Sequence, residues 1–214
     1  LVVLALVAAC AGGDDRPAGD GSSPLAPPSE TTVAAPAPDV APVPPEVDAA
    51  AGDWPLPGRD HANSRAVTDS PITVDTVEGL EVAWTAELEG SGVIGNAATT
   101  PLILGDRVLL QTLDSTVRVL DRATGRVVWE RTSGDGPNIG PNGVAVGWGR
   151  VYATSGMEAV VALDLETGDE VWRAELVRTE TEGIDIQPQV AAGLVLVSTV
   201  PISLDGQYAG GDRG

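Results

Sequence analysis

The chain has 214 residues and a formal net charge of -19 at pH 7, from 31 acidic and 12 basic residues. Phosphate binding needs clustered Lys or Arg, so this charge argues against a nucleic-acid or anionic-lipid surface. With 17 Pro, 26 Gly and only 3% aromatic residues, part of the chain is not expected to pack, and the single Cys cannot form an internal disulfide.

The first predicted element is an apolar run over residues 1–10. Leu1 to Ala9 is too short to cross a bilayer of roughly 30 Å as a helix, but it has the size of a signal-peptide hydrophobic region. Val7-Ala8-Ala9-Cys10 resembles a bacterial lipobox, which implies lipidation of Cys10 and an extracytoplasmic, membrane-anchored protein. The alternative is an ordinary secretory signal with a chance Cys. No Met precedes Leu1, so we expect a chain that has lost its true start.

Residues 11–52 form the second predicted region, a tether. They consist mainly of Ala, Pro, Gly, Ser and Asp without apolar periodicity, so we expect disorder. Pro-rich stretches extend by roughly 3.1 Å per residue, which would hold a domain tens of ångströms from the lipid. A Pro-rich recognition motif is the alternative interpretation.

Residues 53–214 contain an internal repeat. Asp121-Arg-Ala-Thr124-Gly125-Arg-Val-Val-Trp129 returns as Asp164-Leu-Glu-Thr167-Gly168-Asp-Glu-Val-Trp172, an offset of about 43 residues. A period of this size is the length of one four-stranded propeller blade. A third copy is predicted to begin at Gly193-Leu194 in the same phase. The sequence therefore predicts an all-β fold, a partial β-propeller of about three to four blade units.

Each copy reads as a β-meander of short strands. Strands are predicted to begin near Val108 and Val151, to turn, to return to Asp121 and Asp164, and to end after a further strand in Trp. Asp can accept hydrogen bonds from backbone N–H groups two residues on, while Gly125 and Gly168 supply positive φ at the hairpin.

One Trp recurs in each unit, at Trp84, Trp129 and Trp172. Trp84 indicates an earlier copy, because Trp84-Thr-Ala-Glu-Leu88 parallels Trp172-Arg-Ala-Glu-Leu176. A flat indole placed once per blade suits blade-to-blade docking, where its N–H can donate to a neighbouring backbone. Stacking of one of these rings on a ligand is the alternative.

The segment Asp53-Trp54-Pro-Leu-Pro-Gly58-Arg59-Asp60-His-Ala-Asn63-Ser-Arg65 is similar to the start of PQQ-dependent alcohol dehydrogenases. Their propeller blades also carry the Ala-Leu-Asp-x-x-Thr-Gly-x-x-x-Trp motif found here from Ala162 to Trp172. The resemblance implies an eight-bladed PQQ-type propeller that holds PQQ and calcium on its axis and oxidises an alcohol or sugar. It also implies that the catalytic Asp lies further along the chain than Gly214, so no catalytic residue is assigned here.

The sequence departs from that family at three places. The loop Asp135-Gly-Pro-Asn-Ile139, where a vicinal Cys pair would contact the quinone, contains no Cys. Asn142 stands where a cofactor-binding Arg is usual, and Ala209 stands where a calcium-ligating Glu is usual. A non-enzymatic scaffold or binding propeller, like the lipoprotein of outer-membrane assembly, is therefore the competing hypothesis, with a redox or protein partner left open.

Overall fold

The structure is a computed structural model that describes residues 2–5, 41–88, 95–134, 136, 138, 142–177 and 182–201. The described residues contain an α-helix, Pro45–Ala49 (α1), and a 3-10 turn, Val77–Gly79. None of the helices in this part of the chain has the length and hydropathy needed to span a bilayer. In chain order the strands are Val2–Ala5 (β1), Leu102–Leu104 (β2), Arg107–Gln111 (β3), Thr116–Asp121 (β4), Val127–Thr132 (β5), Ala145–Gly147 (β6), Arg150–Ser155 (β7), Ala159–Asp164 (β8), Glu170–Glu175 (β9), Glu182–Gly183 (β10), Gln189–Ala191 (β11), Leu194–Val197 (β12) and Val200–Pro201 (β13).

Two complete antiparallel sheets of four consecutive strands confirm the predicted meander. β2–β5 form the first sheet and β6–β9 form the second, in chain order. Their registers repeat, since Arg107 lies opposite Asp121 and Arg150 lies opposite Asp164. Sheets of this kind, each made of one sequence repeat, are blades of a partial β-propeller.

The third sheet contains β11 and β12, the counterparts of β6 and β7. Its register pairs Ala191 with Leu194, whereas the second sheet pairs Gly147 with Arg150. The third copy is therefore one residue out of the predicted phase, because one extra residue precedes β11. β1, which lies within the expected signal peptide, pairs in parallel with β12 on the side where the first two sheets have their third strand.

The fourth strand of each complete sheet runs past its Trp, so the predicted strand ends were wrong by three residues. β5 reaches Thr132 and β9 reaches Glu175. The extension lets the fourth strand pair with the whole of the third, and the hydroxyls of Thr116 and Thr132 lie 2.9 Å apart across that ladder. A register shift, a β-bulge, lies beside each Trp and twists the strand locally.

Apolar side chains from facing sheets make the core. One buried cluster joins the first and second sheets, and a second joins the second and third. The interior strands β4 and β8 are buried along both faces, as expected for short strands covered by neighbouring blades. The first cluster consists of Leu102, Leu109, Val117, Val119, Trp129, Val144, Val146, Val151, Ala153, Val161 and Leu163.

Trp side chains dock each unit on the next one. Trp84 Nε1 donates to the carbonyl oxygen of Arg122 at 2.8 Å, and Trp129 Nε1 donates to that of Leu165 at 3.0 Å. Arg122 and Leu165 occupy the same repeat position, so the two docking contacts are equivalent. Residues 81–88 form no described strand pair, yet Trp84 takes the same place against the first sheet that Trp129 takes against the second.

The Asp of each repeat closes the hairpin turn on which the neighbouring Trp rests. Asp121 Oδ1 accepts hydrogen bonds from the backbone N–H and hydroxyl of Thr124, at 2.8 and 2.6 Å. Asp164 Oδ1 accepts from the backbone N–H groups of Glu166 and Thr167. These hydrogen bonds, from the Thr124 hydroxyl above all at Asp121 and from the Glu166 N–H at Asp164, lower the pKa of both carboxyls.

The end of the predicted tether is ordered. Residues 11–40 and Cys10 lie outside the described residues, but the disorder predicted up to Gly52 is wrong for residues 41–52. There α1 buries Val47 and Ala50, and Pro44 packs against Gly147 of the second sheet. Composition missed this helix because its stability comes from tertiary packing, not from local propensity.

The turn glycine provides a test of the docking geometry. Gly125 has φ 70°, and a Cβ at that position would lie 2.5 Å from Cε3 of Trp84. We expect Gly125→Ala to lower the free energy of unfolding by about 2 to 4 kcal/mol, from the left-handed conformation and from overpacking together. Urea unfolding monitored by Trp fluorescence measures this loss.

Gly149→Ala is the matched control for Gly125→Ala. Gly149 also has φ 70°, but nothing lies within 4 Å of the position of its Cβ. We expect a loss of about 1 to 2 kcal/mol there, from conformation alone. Equal losses at the two glycines would show that the indole does not press on the turn.

Candidate functional site

Polar residues lie just before β2, β6 and β11, the equivalent strands of the three sheets, which we call the inner strands. Thr99 precedes β2 and Asn142 precedes β6 by the same interval, and Gln187 lies just before β11. A Cβ on Gly143 would lie 2.7 Å from both Thr99 Oγ1 and Gln187 Cδ, so residues from three sheets meet at this glycine. Gln187 Nε2 also donates to the Val144 carbonyl at 2.7 Å.

Asn138 lies in the loop that leads from β5 to Asn142. Its backbone N–H donates to the carbonyl oxygen of Leu113 at 2.7 Å, which fixes the loop against the β3–β4 turn of the first sheet. Ser115 Oγ, in the same turn, donates to the Gly136 carbonyl at 2.9 Å. We call Thr99, Asn142, Gly143 and Gln187, together with Asn138 in the loop at the same end of the sheets, the loop-end cluster.

The side chains of Asn138 and Asn142 are buried and have no hydrogen bond to any residue that the structure describes. They are 1% and 2% exposed, and neither amide group has a partner among the described residues; the same holds for Thr99 Oγ1. An unpaired buried polar group costs about 1 to 3 kcal/mol. Native proteins keep few such groups, and each one calls for an explanation such as an ordered water, a bound ion or a functional role.

Hydrogen bonds between the first and second sheets make this end of the fold rigid. Gln111 Nε2 donates to the Thr154 carbonyl at 2.6 Å, and both residues are fully buried at equivalent repeat positions. Arg173 Nη2 donates to the carbonyl oxygen of Ser133 at 2.7 Å. The two sheets therefore hold the intervening loop from both sides.

Asp185 is the acidic residue nearest in sequence to Gln187. It is half-buried, and this burial raises the pKa of its carboxyl above the ordinary value. Its place just before β11 puts it at the same end of the third sheet as the loop-end cluster. A carboxyl with a raised pKa next to a polar cluster marks a candidate functional position.

The structure separates the predicted residues into two groups. Trp84, Trp129, Asp121, Gly125, Asp164 and Gly168 all lie in the blade-docking contacts, away from the loop-end cluster. Trp172 is partly buried at the third sheet, with its ring centroid 5.9 Å from that of Tyr152. Asn142 is the one residue of the cluster that was already a candidate from the sequence. Ala209 and Cys10 lie outside the described residues.

Sequence reasoning missed Asn138, Thr99 and Gln187. The repeat offset could have found Thr99, because it aligns with Asn142. Gln187 was hidden by the extra residue before β11, and nothing in the sequence shows that the amide of Asn138 is buried. In the described part of the chain no three His, Cys, Asp or Glu side chains are grouped as metal ligands.

The repeated four-stranded sheets, docked through one Trp per unit, define the protein as a β-propeller protein. Two family models match it in overlapping stretches. The model described as "Glucose/ethanol/alcohol dehydrogenase, beta-propeller domain" matches residues 54–146, and the model described as "Outer membrane protein assembly factor BamB" matches residues 113–213. The chain is thus a PQQ-type β-propeller repeat protein, as the resemblance in its sequence predicted.

Curated relatives are alcohol dehydrogenases. The chain is 30% identical over 162 residues to the alcohol dehydrogenase (quinone), dehydrogenase subunit, of Gluconobacter oxydans strain 621H, covering 68% of this chain and 21% of that protein. It is 28% identical over 155 residues to the quinohemoprotein alcohol dehydrogenase of Comamonas testosteroni, covering 68% and 22%. The chain spans about a fifth of the length of these relatives.

The crystal structure of the Comamonas testosteroni quinohemoprotein alcohol dehydrogenase has the same fold over the shared region. It superposes with a TM-score of 0.64 at 27% identity, covering 72% of this chain and 25% of that one. The similarity spans most of the described residues, so the fold of this region is that of a dehydrogenase propeller.

The burial of Asp185 leads us to predict that its effect on the free energy of unfolding depends on pH. A carboxyl whose folded pKa is raised destabilises the fold above its unfolded pKa, and this penalty disappears as pH falls below that value. We expect Asp185→Asn to raise the free energy of unfolding at pH 7 and to have little effect at pH 3. Urea unfolding at the two pH values measures the difference.

Asp69→Asn is the control for Asp185→Asn, since Asp69 is exposed. Its effect should be within about 0.5 kcal/mol at either pH. A gain from Asp185→Asn that is the same at pH 3 and pH 7 would contradict the assignment, because the effect would then not depend on the charge.

Proposed function

We propose that this chain is part of a quinoprotein oxidoreductase and that its loop-end cluster takes part in binding PQQ. The observation that carries the proposal is that the amides of Asn138 and Asn142 are buried and have no partner in the described part of the chain. Both lie within residues 54–146, the stretch matched by the dehydrogenase propeller model. Relatives named as quinone-dependent and quinohemoprotein alcohol dehydrogenases support the same interpretation.

The residues of the cluster can supply hydrogen-bond donors to the oxygen atoms of PQQ. PQQ presents quinone and carboxylate oxygens, which accept hydrogen bonds, and the Asn138 and Asn142 amides and the Thr99 hydroxyl can donate them. Calcium prefers hard oxygen ligands, and Asp185 is an acidic residue at this end, but no three His, Cys, Asp or Glu side chains are grouped among the described residues. The quinone therefore has candidate partners here, while a cluster of three acidic ligands for calcium is not found in the described part of the chain.

Bound PQQ would supply the redox chemistry by accepting a hydride from an alcohol or sugar substrate. The contribution of this chain would be to bind and orient the cofactor. Asn138 and Asn142 would donate hydrogen bonds, and Gln187 would hold the backbone beside Asn142 through the Val144 carbonyl. The Gln111–Thr154 hydrogen bond would keep the two sheets at fixed spacing.

A second candidate is a non-enzymatic propeller that binds another protein. It is favoured by the match of residues 113–213 to the model of the outer-membrane assembly factor. That stretch covers β4 and β5 of the first sheet, the whole second sheet, and β11 and β12 of the third. On this reading the repeat serves as a scaffold, and the buried amides would pair with ordered water.

We also propose that the protein is exported and anchored through Cys10. The lipobox-like Val7-Ala8-Ala9-Cys10 and the Pro-rich residues that follow support this location. An anchor on Cys10 would hold the propeller outside the cytoplasmic membrane, where a redox or protein partner could reach it.

Binding of PQQ tests the main proposal. In the full-length protein we expect saturable PQQ binding by equilibrium dialysis, and about tenfold or weaker affinity in Asn142→Leu, because a hydrogen bond to a charged group is lost. Leu removes the unpaired amide without leaving a cavity, so the variant should fold. Gln189→Leu, which replaces an exposed amide, is the control and should bind normally.

Two results would count against that proposal. If the full-length protein with added PQQ and Ca²⁺ shows neither binding nor dye-linked alcohol oxidation, the scaffold candidate takes its place. If PQQ binds equally well to wild type and Asn142→Leu, the protein is a quinoprotein whose cofactor lies elsewhere.

The anchor is tested by Cys10→Ala in a bacterial host, expressed from the complete gene. We expect the wild-type protein in the membrane fraction and the variant in the soluble extracytoplasmic fraction. Retention of Cys10→Ala on membranes would show that the lipid is not what anchors it.

A further inference from the structure

Residues 42–54 cross the end of the sheets opposite the loop-end cluster, and we call this segment the strap. It accepts a hydrogen bond from the inner hairpin turn of each sheet. The Pro42 carbonyl accepts from the Ala192 N–H, Glu46 Oε2 from the Trp148 N–H and Asp53 Oδ2 from the Gly105 N–H, each at 2.9 Å. The strap thus passes from the third sheet to the first.

The three donors occupy the same position in their repeats. Gly105, Trp148 and Ala192 each directly follow the innermost strand of their sheet, and each has a positive φ, of 58°, 51° and 49°. A left-handed residue in a tight turn points its N–H away from the hairpin, where it needs an outside acceptor. The strap supplies that acceptor three times, once with a backbone carbonyl and twice with a carboxylate.

Further contacts hold the strap at each sheet. Glu46 Oε1 also accepts from the Gly149 N–H at 2.5 Å, so its carboxylate spans two successive amides. Asp53 Oδ1 accepts from Arg122 Nη1 at 2.8 Å, and that guanidinium also donates to the Gly105 carbonyl. Trp54 then pairs with Ile103 on the free edge of β2, which joins the strap to the first sheet.

The inner strands connect the strap to the loop-end cluster. β2, β6 and β11 have three residues each, so their two ends are close together in sequence. Thr99, Asn142 and Gln187 lie just before these strands, and the strap-bonded turns lie just after them. A change in the spacing of the turns therefore has only a strand of three residues to cross before it reaches the cluster.

We propose that the strap is a cooperative clamp that fixes the spacing of the three inner hairpins and, through the inner strands, positions the loop-end cluster. Loss of its hydrogen bonds to the turn of one sheet weakens its hydrogen bonds to the turns of the other two. The part that concerns ligand binding rests on the proposed function, whereas the coupling of the three turns does not.

Amide hydrogen exchange of the full chain with Glu46→Ala tests the clamp. Loss of the carboxylate should speed exchange at Trp148 and Gly149 by about tenfold or more, since their acceptor is gone. The clamp further requires faster exchange at Gly105 and Ala192, whose own acceptors, Asp53 and Pro42, are unchanged. Exchange at the core amide of Val119 should stay as in wild type, which separates opening of the strap from global unfolding.

Asp48→Ala is the matched control, because Asp48 is an exposed acidic residue of the same helix. It should leave exchange at all three turns unchanged. Faster exchange in Glu46→Ala that is confined to Trp148 and Gly149 would overturn the clamp, because it would show three independent contacts. If Glu46→Ala fails to fold, Glu46→Gln, which keeps one acceptor oxygen, should show the same pattern at smaller amplitude.

PQQ affinity supplies the second readout. Positioning of the cluster predicts weaker PQQ binding in Glu46→Ala and unchanged binding in Asp48→Ala, although neither residue belongs to the cluster. Unchanged binding in Glu46→Ala would remove the positioning role. A wild-type protein that does not bind PQQ would refute the proposed function, and the exchange comparison would still decide whether the clamp exists.

Discussion

The architecture depends on the docking of one indole on one glycine turn. A four-stranded sheet that is apolar on both faces cannot bury itself, so it needs a neighbour at a fixed angle and distance. Trp129 sets that distance, because its ring lies where a side chain at Gly168 would be and its N–H bonds the Leu165 carbonyl. Asp164 keeps the same turn in shape by accepting its free N–H groups. Loss of any one of these parts would disturb the other two.

The Trp contacts lie at the turns between the third and fourth strands of a sheet. The inner strands β2, β6 and β11 therefore need other contacts to fix their positions. At one end, the strap bonds the turns that follow β2, β6 and β11, and at the other end polar side chains of three sheets converge on Gly143. At the second end the amides of Asn138 and Asn142 and the hydroxyl of Thr99 have no partner among the described residues, and at the first end the same holds for the indole Nε1 of Trp148. Among the described residues the loop end has the larger number of unpaired polar groups, which makes it the better candidate for binding a ligand.

The sequence predicts well the features that recur in each repeat, and it predicts poorly the features that occur once in the chain. The Asp, Gly and Trp of the repeat indicated the meander and the hairpin turns, because each has a local stereochemical role that shows twice in the chain. Strand ends and the phase of the third copy depended on cross-strand pairing, which local patterns do not contain. α1 and Asn138 could not be predicted, since one is ordered by contacts some hundred residues distant and the other matters through its burial.

Burial also bears on the choice between the two candidate functions. A docked protein contacts exposed side chains, and the amides of Asn138 and Asn142 are 1% and 2% exposed, so docking would leave them unpaired. Ordered water could pair them in a scaffold, but water needs only a polar space and places no demand on which sheets contribute to it. In this fold Thr99, Asn142 and Gln187 precede β2, β6 and β11, which belong to three different sheets, and the turns that follow these strands are hydrogen-bonded to the strap. Such preorganisation of donors is what binding of a defined small ligand requires, and it favours the cofactor-binding reading of the site.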